Sequence, residues 1–226
     1  MGIHDGHRKR LKEKFIEHGL DPFSDVNVLE FLLFFSVPRK DTNELAHKLL
    51  ERFGSLHAVF NASFYELNEV EGVNYSSAVL ISLISQLSRR IEISKTSNIK
   101  TIKDTADAAE YFISRFKNQQ YESLLMMCLD AKRNIISCKE MATGSTVSTS
   151  IDVRKLAEHA VSSRAAYVII SHNHPGGTIY PSSEDQSLTH NLHTALRYVD
   201  VLMEDHIIVA GDNYTSFRKL GAMRYL

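Results

Sequence analysis

The chain has 226 residues, 43% of them hydrophobic and 23% charged, enough for one large core or two smaller ones, because domains commonly run to ~100–150 residues. Its 26 Lys and Arg against 27 Asp and Glu leave a formal net charge of -1, so no overall field draws it to nucleic acid or to an anionic membrane. Cys128 and Cys138 lack CxxC spacing and fit free thiols in a reducing compartment better than a disulfide framework.

The first residues, MGIHDGHRKR, hold no apolar signal-peptide core, and Gly6 stands where a myristoylation signal calls for Ser or Thr. An unprocessed, cytoplasmic protein is expected. The most apolar window, VLEFLLFFSV from Val28 to Val37, is about half the length that spans a bilayer and contains Glu30, so no membrane contact is expected. HRKRLKEKFIEHG, DVNVLEFLLFFSV and DTNELAHKLLERFG read as helices, the last with Asp41 or Thr42 as its cap and Gly54 as its stop. The stretch from Leu56 to Ile93 then sets a short helix, the turn Glu71 to Asn74 and a longer helix in series, which resembles a helix-hairpin-helix.

Such a hairpin grips a phosphate backbone through N–H groups at its turn, and Gly72 fits that close approach. Asn74 stands where a second glycine is wanted, Tyr75, Ser76 and Ser77 open the next helix in place of basic residues, and Glu69 and Glu71 repel phosphate. Residues 1–100 carry 13 Lys and Arg against 13 Asp and Glu, so this half has no charge surplus for DNA. Packing between helices is an equal reading of the hairpin. Arg8, Lys9, Arg10, Lys12 and Lys14 form the best basic cluster, either a nucleic-acid contact or a solvated helix face. Weak DNA binding through an N-terminal helical domain, residues 1–95, is the expectation.

The polar stretch SKTSNIKTIK precedes a capped helix near Asp104 and marks the boundary to a second domain, residues 102–226. There the pattern alternates: helix ADAAEYFISRF, strands ESLLMMCLD and RNIISCKEM, helix DVRKLAEHAVSS, strand AAYVIIS, helix SEDQSLTHNLHTALRYV, and strands VLMEDHIIVAG and YTSF. The fold class is α/β (α+β).

Ala165 to Ile170 is continuously apolar, as in a strand buried on both faces, and His172 and His174 follow just past its end. Residues two apart project to the same side of a strand, so both imidazoles converge on one point. Pro175, Gly176 and Gly177 turn the chain, and Ser182 caps a new helix with Asp185 in its first turn. Two imidazoles and a carboxylate make three protein ligands, the count that leaves a position open for water at a catalytic metal. The competing reading has Asp185 complete a capping box only, with the histidines as ordinary loop residues. Agreement of strand exit, turn, spacing and ligand count favours the metal. Zinc, one per chain, suits N and O ligands with an open position. His190 and His193 read as surface or supporting residues, and His206 as a histidine satisfied by a neighbouring carboxylate.

His172-x-His174-Pro175 followed by Ser182-x-x-Asp185 resembles the JAMM motif of MPN-type metallopeptidases, a class that includes deubiquitinating isopeptidases. HNHP, a glycine and PSxxD are similar to the bacterial RadC family, as are HDGHRKRLKEKF, VLEFLLFFSVPRKDTNELAHKLL, DHIIVAG and SFRKLG, so the resemblance covers nearly the whole chain. One departure is Gly176, where RadC proteins more often have serine. The resemblance implies an N-terminal helical bundle followed by a mixed β-sheet flanked by helices, hydrolysis of a peptide or protein substrate at an amide bond, and an association with DNA repair. It also implies an upstream glutamate base at the start of a core strand: Glu122 matches, with Glu140 one strand later as its rival. Ser182 would help hold the oxyanion beside its capping role. Neither the substrate nor the oligomeric state is specified.

Overall fold

A computed structural model of the chain describes residues 3–119, 121–144 and 151–223. Met1 and Gly2, on which part of the N-terminal reading rests, lie outside them. The chain forms two compact units, Met1–Ser88 and Arg89–Leu226, the division falling within the helix Tyr75–Lys95. No helix among the described residues is long and apolar enough to cross a membrane.

The first unit holds α1 (Ile3–His18), α2 (Asp25–Leu33), α3 (Asn43–Phe53), α4 (Leu56–Asn61), α5 (Phe64–Asn68) and the start of α6 (Tyr75–Lys95). Their inward apolar positions, among them Leu29, Leu33, Leu49, Leu67 and Ile81, form one buried cluster. α2 stops at Leu33, short of the expected Val37, because the N–H groups of Phe35 and Ser36 tighten onto carbonyls three residues back, just ahead of Pro38. α3 ends on Gly54, whose φ of 85° lies in the left-handed region. At its start Asp41 Oδ1 accepts from the Asn43 N–H at 2.9 Å, while the Thr42 hydroxyl donates to the Glu30 carbonyl.

The basic cluster is largely occupied within this unit. Arg8 donates to the carbonyls of Val37, Pro38 and Lys40 at 2.6–2.8 Å and lies over the Phe34 ring. Lys14 donates to the Pro22 carbonyl, and Lys9 pairs with Glu13. At the turn between α5 and α6, Gly72 has a φ of 93°, and Asn74 Oδ1 accepts from the Ser77 N–H at 2.8 Å. The first turn of α6 is therefore capped by its own side chain, which uses a donor that a phosphate would need.

The second unit has the expected mixed architecture. It contains α7 (Thr105–Phe116), β1 (Ser123–Leu129), β2 (Ile135–Thr143), α8 (Val153–Ser162), β3 (Tyr167–Asn173), α9 (Ser183–Arg197), β4 (Leu202–Ala210) and β5 (Asn213–Ser216). The sheet order is β2-β1-β3-β4-β5; only β3 and β4 run parallel. Residues 100–102, at the end of the polar stretch read as the domain boundary, pair with the chain leading into β2 through Ile135 N–H to the Lys100 carbonyl and Ile102 N–H to the Arg133 carbonyl.

Both faces of the sheet are covered. α7 packs on one, with Phe112 against Leu125, Met127, Ile169 and Val209. α8 and α9 pack on the other, with Leu156, Leu188 and Leu192 against Leu124, Met126, Val168 and Ile170. β1 is buried along its whole length, as a strand covered on both faces must be, which explains its unbroken apolar run. β3 extends past the expected end at Ser171: His172 pairs with Leu124 on one side and Ile208 on the other, so the strand carries a histidine inside its ladder.

Candidate metal centre

His172 lies within β3, His174 follows just past its end, and Asp185 lies in the first turn of α9 on the same sheet face. The Nε2 atoms of the two histidines stand 2.9 Å apart. Asp185 Oδ1 is 3.1 Å from His172 Nε2, and its Oδ2 is 3.8 Å from His174 Nε2. One ligand atom from each residue thus falls within 4.8 Å of the others, the only such grouping of three among the described residues. A tetrahedral ion with bonds of ~2.0–2.2 Å has ligand–ligand edges of roughly 3.3 Å, so the spacing fits a zinc-like ion.

The outer sides of these groups are held in place. His174 Nδ1 is 2.8 Å from the carbonyl of Thr178. A carbonyl only accepts, so Nδ1 carries the proton and Nε2 turns its lone pair inward. His172 Nδ1 is 2.8 Å from Nε2 of His206 on β4, and His206 Nδ1 is 2.7 Å from the hydroxyl of Thr189 on α9. His206 is fully buried and stacks on Phe217, with centroids 4.7 Å apart. Burial first, and then the neighbouring His172, push its pKa well below the usual histidine range, so the ring is neutral. The expected carboxylate partner for His206 is not what is found: its two ring nitrogens face Thr189 and His172, brought in from α9 and β3.

Ser182 caps α9 as expected. Its N–H and its hydroxyl both donate to Asp185 Oδ2, at 2.9 and 2.7 Å, and its Oγ accepts from the Asp185 N–H at 3.1 Å. Burial opposes ionisation of Asp185, but the neighbouring His172 ring and the two bonds donated by Ser182 outweigh it and hold the carboxyl well below the usual range. The capping box and the contact with His172 therefore coexist, on different oxygens, while His174 lies nearer the capping oxygen. Gly177, with a φ of 85°, makes the turn after Pro175. A Cβ added at Gly176 would meet nothing within 4 Å, so serine would fit there and the departure costs the turn nothing.

Glu122 directly precedes β1. Leu124 pairs with His172 in the antiparallel ladder, so continuing the register sets Glu122 opposite His174, on the α8 and α9 side of the sheet. Glu140 pairs with Leu125 and is exposed on the α7 side, the face away from His172. Asn173 is buried: its Oδ1 accepts from the Ser123 N–H at 2.7 Å and its Nδ2 donates to the Tyr121 carbonyl at 3.0 Å. It grips the backbone on both sides of Glu122. Tyr180 is 80% exposed, and His190 is exposed on α9 away from the cluster. His193 is half-buried and lowered in pKa, chiefly by that burial.

Sequence reading missed Thr189 and the roles of Asn173 and Thr178. Thr189 had one available signal, its position one helical turn after Asp185 on the same face.

Residues 102–222 match the RadC-like JAB domain family, and residues 6–79 match the UPF0758 N-terminal family. Relatives named UPF0758 protein are similar along nearly their whole length. One from Fusobacterium nucleatum is 31% identical over 96% of each chain, and one from Janthinobacterium is 33% identical over 94% of this chain and 95% of its own. One from Neisseria gonorrhoeae is 31% identical over 95% of this chain and 96% of its own. A helical N-terminal unit, a mixed sheet flanked by helices and a clustered His172, His174 and Asp185 accord with those matches, and the chain belongs to the RadC family of JAB-domain proteins.

Proposed function

We propose that the chain is a zinc-dependent hydrolase of JAMM type that cleaves a peptide or isopeptide amide bond, with about one ion per chain held by His172, His174 and Asp185. The observation that carries this reading is the convergence of those three side chains from β3 and α9, with His174 committed by the Thr178 carbonyl to an inward-facing lone pair. When bound, such an ion supplies Lewis acidity, which lowers the pKa of a water and polarises a carbonyl.

The remaining chemistry falls to the protein. Glu122 takes a proton from the attacking water as its oxygen adds to the amide carbon, and returns it to the amine nitrogen as the C–N bond breaks. The register that sets Glu122 opposite His174, and the Asn173 grip on its flanking backbone, support this role over Glu140. Ser182 contributes a hydroxyl donor to the oxygen that gains negative charge. Its hydroxyl donates to Asp185 Oδ2, so that task requires it to exchange one oxygen acceptor for another.

The test is metal analysis of the purified protein, a screen of peptide and isopeptide substrates, and two variants. Glu122→Gln keeps the side chain's size but cannot accept the proton, so zinc content should hold while turnover falls by ~100-fold or more. Glu140→Gln should retain most activity. If Glu140→Gln is the inactive variant and Glu122→Gln is not, the assignment of the base is wrong; if no zinc is taken up, the whole reading fails.

A further inference from the structure

We propose that Thr189 and His206 are positioning residues that fix the tautomer of His172 and so decide which of its ring nitrogens offers a lone pair to the site. Hydrogen-bond direction fixes the tautomer, beginning at the one member of this relay that can only accept. The carbonyl of Asp185 lies 2.6 Å from Thr189 Oγ1. A hydroxyl has a single proton, so once it is given to that carbonyl, Oγ1 can only accept from His206 Nδ1 at 2.7 Å. His206 Nδ1 then carries the proton of the neutral ring, and its Nε2, 2.8 Å from His172 Nδ1, must accept. His172 is left with its proton on Nδ1 and its Nε2 lone pair facing His174 Nε2 and Asp185 Oδ1.

The reverse sequence breaks at its first step. If the Thr189 hydroxyl turned its proton to His206 Nδ1, the 2.6 Å bond to the Asp185 carbonyl would be lost, His206 would donate from Nε2, and His172 would point an N–H into the site. Few other arrangements are open to the rings. His206 is wedged under α9 and stacked on Phe217 at an interplanar angle of 12°, so it cannot swing to another partner. Histidines that hold metals commonly direct the other N–H to a carboxylate, carbonyl or water. Here that acceptor is a second imidazole, whose own polarity is set by a threonine one helical turn after Asp185. The carboxylate and the tautomer of its neighbour are thereby tied to a single helix.

This inference rests on reading His172 as a ligand, and its test separates the two ideas. In the metal-free wild-type protein, long-range ¹⁵N NMR of the histidine rings should find His172 protonated on Nδ1; protonation on Nε2 would overturn the proposal whatever the variants do. Thr189→Val keeps the shape but removes the hydroxyl, and should move His172 towards the Nε2-protonated form and weaken zinc binding by ~10–100-fold in competition with a chromophoric chelator. Thr189→Ser, which restores the hydroxyl, should recover both the wild-type tautomer and most of the affinity. An unchanged tautomer in a folded Thr189→Val protein, or zinc affinity lost equally in the Ser variant, would refute the relay. If the tautomers behave as described but zinc is not taken up by the wild type, the relay stands and the metal reading is what fails.

Discussion

Asp185→Asn separates the two tasks of one side chain. Asp185 Oδ2 accepts from the N–H and the hydroxyl of Ser182, while Oδ1 faces His172 Nε2 at 3.1 Å. In the asparagine variant the amide oxygen takes the place of Oδ2 and keeps both Ser182 bonds. The amide NH2 takes the place of Oδ1 and donates to the lone pair of His172. The helix cap therefore survives, and the metal-free variant should melt close to wild type. Asp185→Ala keeps the bond from the residue 185 N–H to Ser182 Oγ but loses both bonds that the carboxylate accepts from Ser182, and should cost about 1 kcal/mol.

Zinc changes the ranking. An ion that binds only the folded state at 100 times its Kd stabilises by about 2.7 kcal/mol, or roughly 8 °C in melting temperature for a unit of this size. An amide N–H donor cannot ligate, so the asparagine variant should gain only a small fraction of that shift. The assay is calorimetry of wild type, Asp185→Asn and Asp185→Ala with and without zinc. A full zinc shift in Asp185→Asn would mean that the carboxylate is a cap and nothing more.

Asn173→Ala leaves the Ser123 N–H and the Tyr121 carbonyl without their side-chain partner, so the urea midpoint of the second unit should fall by the equivalent of ~1–3 kcal/mol. In that variant turnover should drop more than zinc affinity does; the opposite pattern would place Asn173 with the metal ligands. Arg8→Ala should destabilise the first unit by a similar ~1–3 kcal/mol, because three carbonyls and the Phe34 ring lose their cation. The DNA binding expected of this chain is weak and salt-sensitive, and Arg8→Ala should leave it nearly unchanged; a large loss of affinity with stability intact would reassign Arg8 to a phosphate.

The features legible in the sequence were those that depend on nearby residues. Gly54 ends α3, Ser182 opens α9, and the alternation of apolar runs yields the strands because each device acts within a few residues. Where the structure departs from expectation, the cause lies far along the chain. β3 gains His172 and Asn173 because β1 and β4 supply ladder partners on both sides, which outweighs the polarity that marks a strand's end in sequence. His206 takes its partners from positions 17 and 34 residues away, so a search for a neighbouring carboxylate looks in the wrong place. Arg8 reads as surface charge until the carbonyls after α2 are brought to it.

The choice between Glu122 and Glu140 shows where local reading stops. Both glutamates lie near strand ends, and sequence spacing cannot say which face of a sheet either one takes. That is decided by pairing. Leu124 opposes His172, so stepping back two residues to Glu122, just before β1, stays on the face that carries His172 and is covered by α9. Between β1 and β2 the register shifts after Leu124: Leu124 pairs with Ala142, but Leu125 pairs with Glu140, which leaves Met141 of β2 as an extra residue. Without that bulge Leu125 would pair with Met141, and Glu140 would fall on the His172 face. One inserted residue thus sends the rival carboxylate to the α7 side, and the asymmetry expected between Glu122→Gln and Glu140→Gln follows from it.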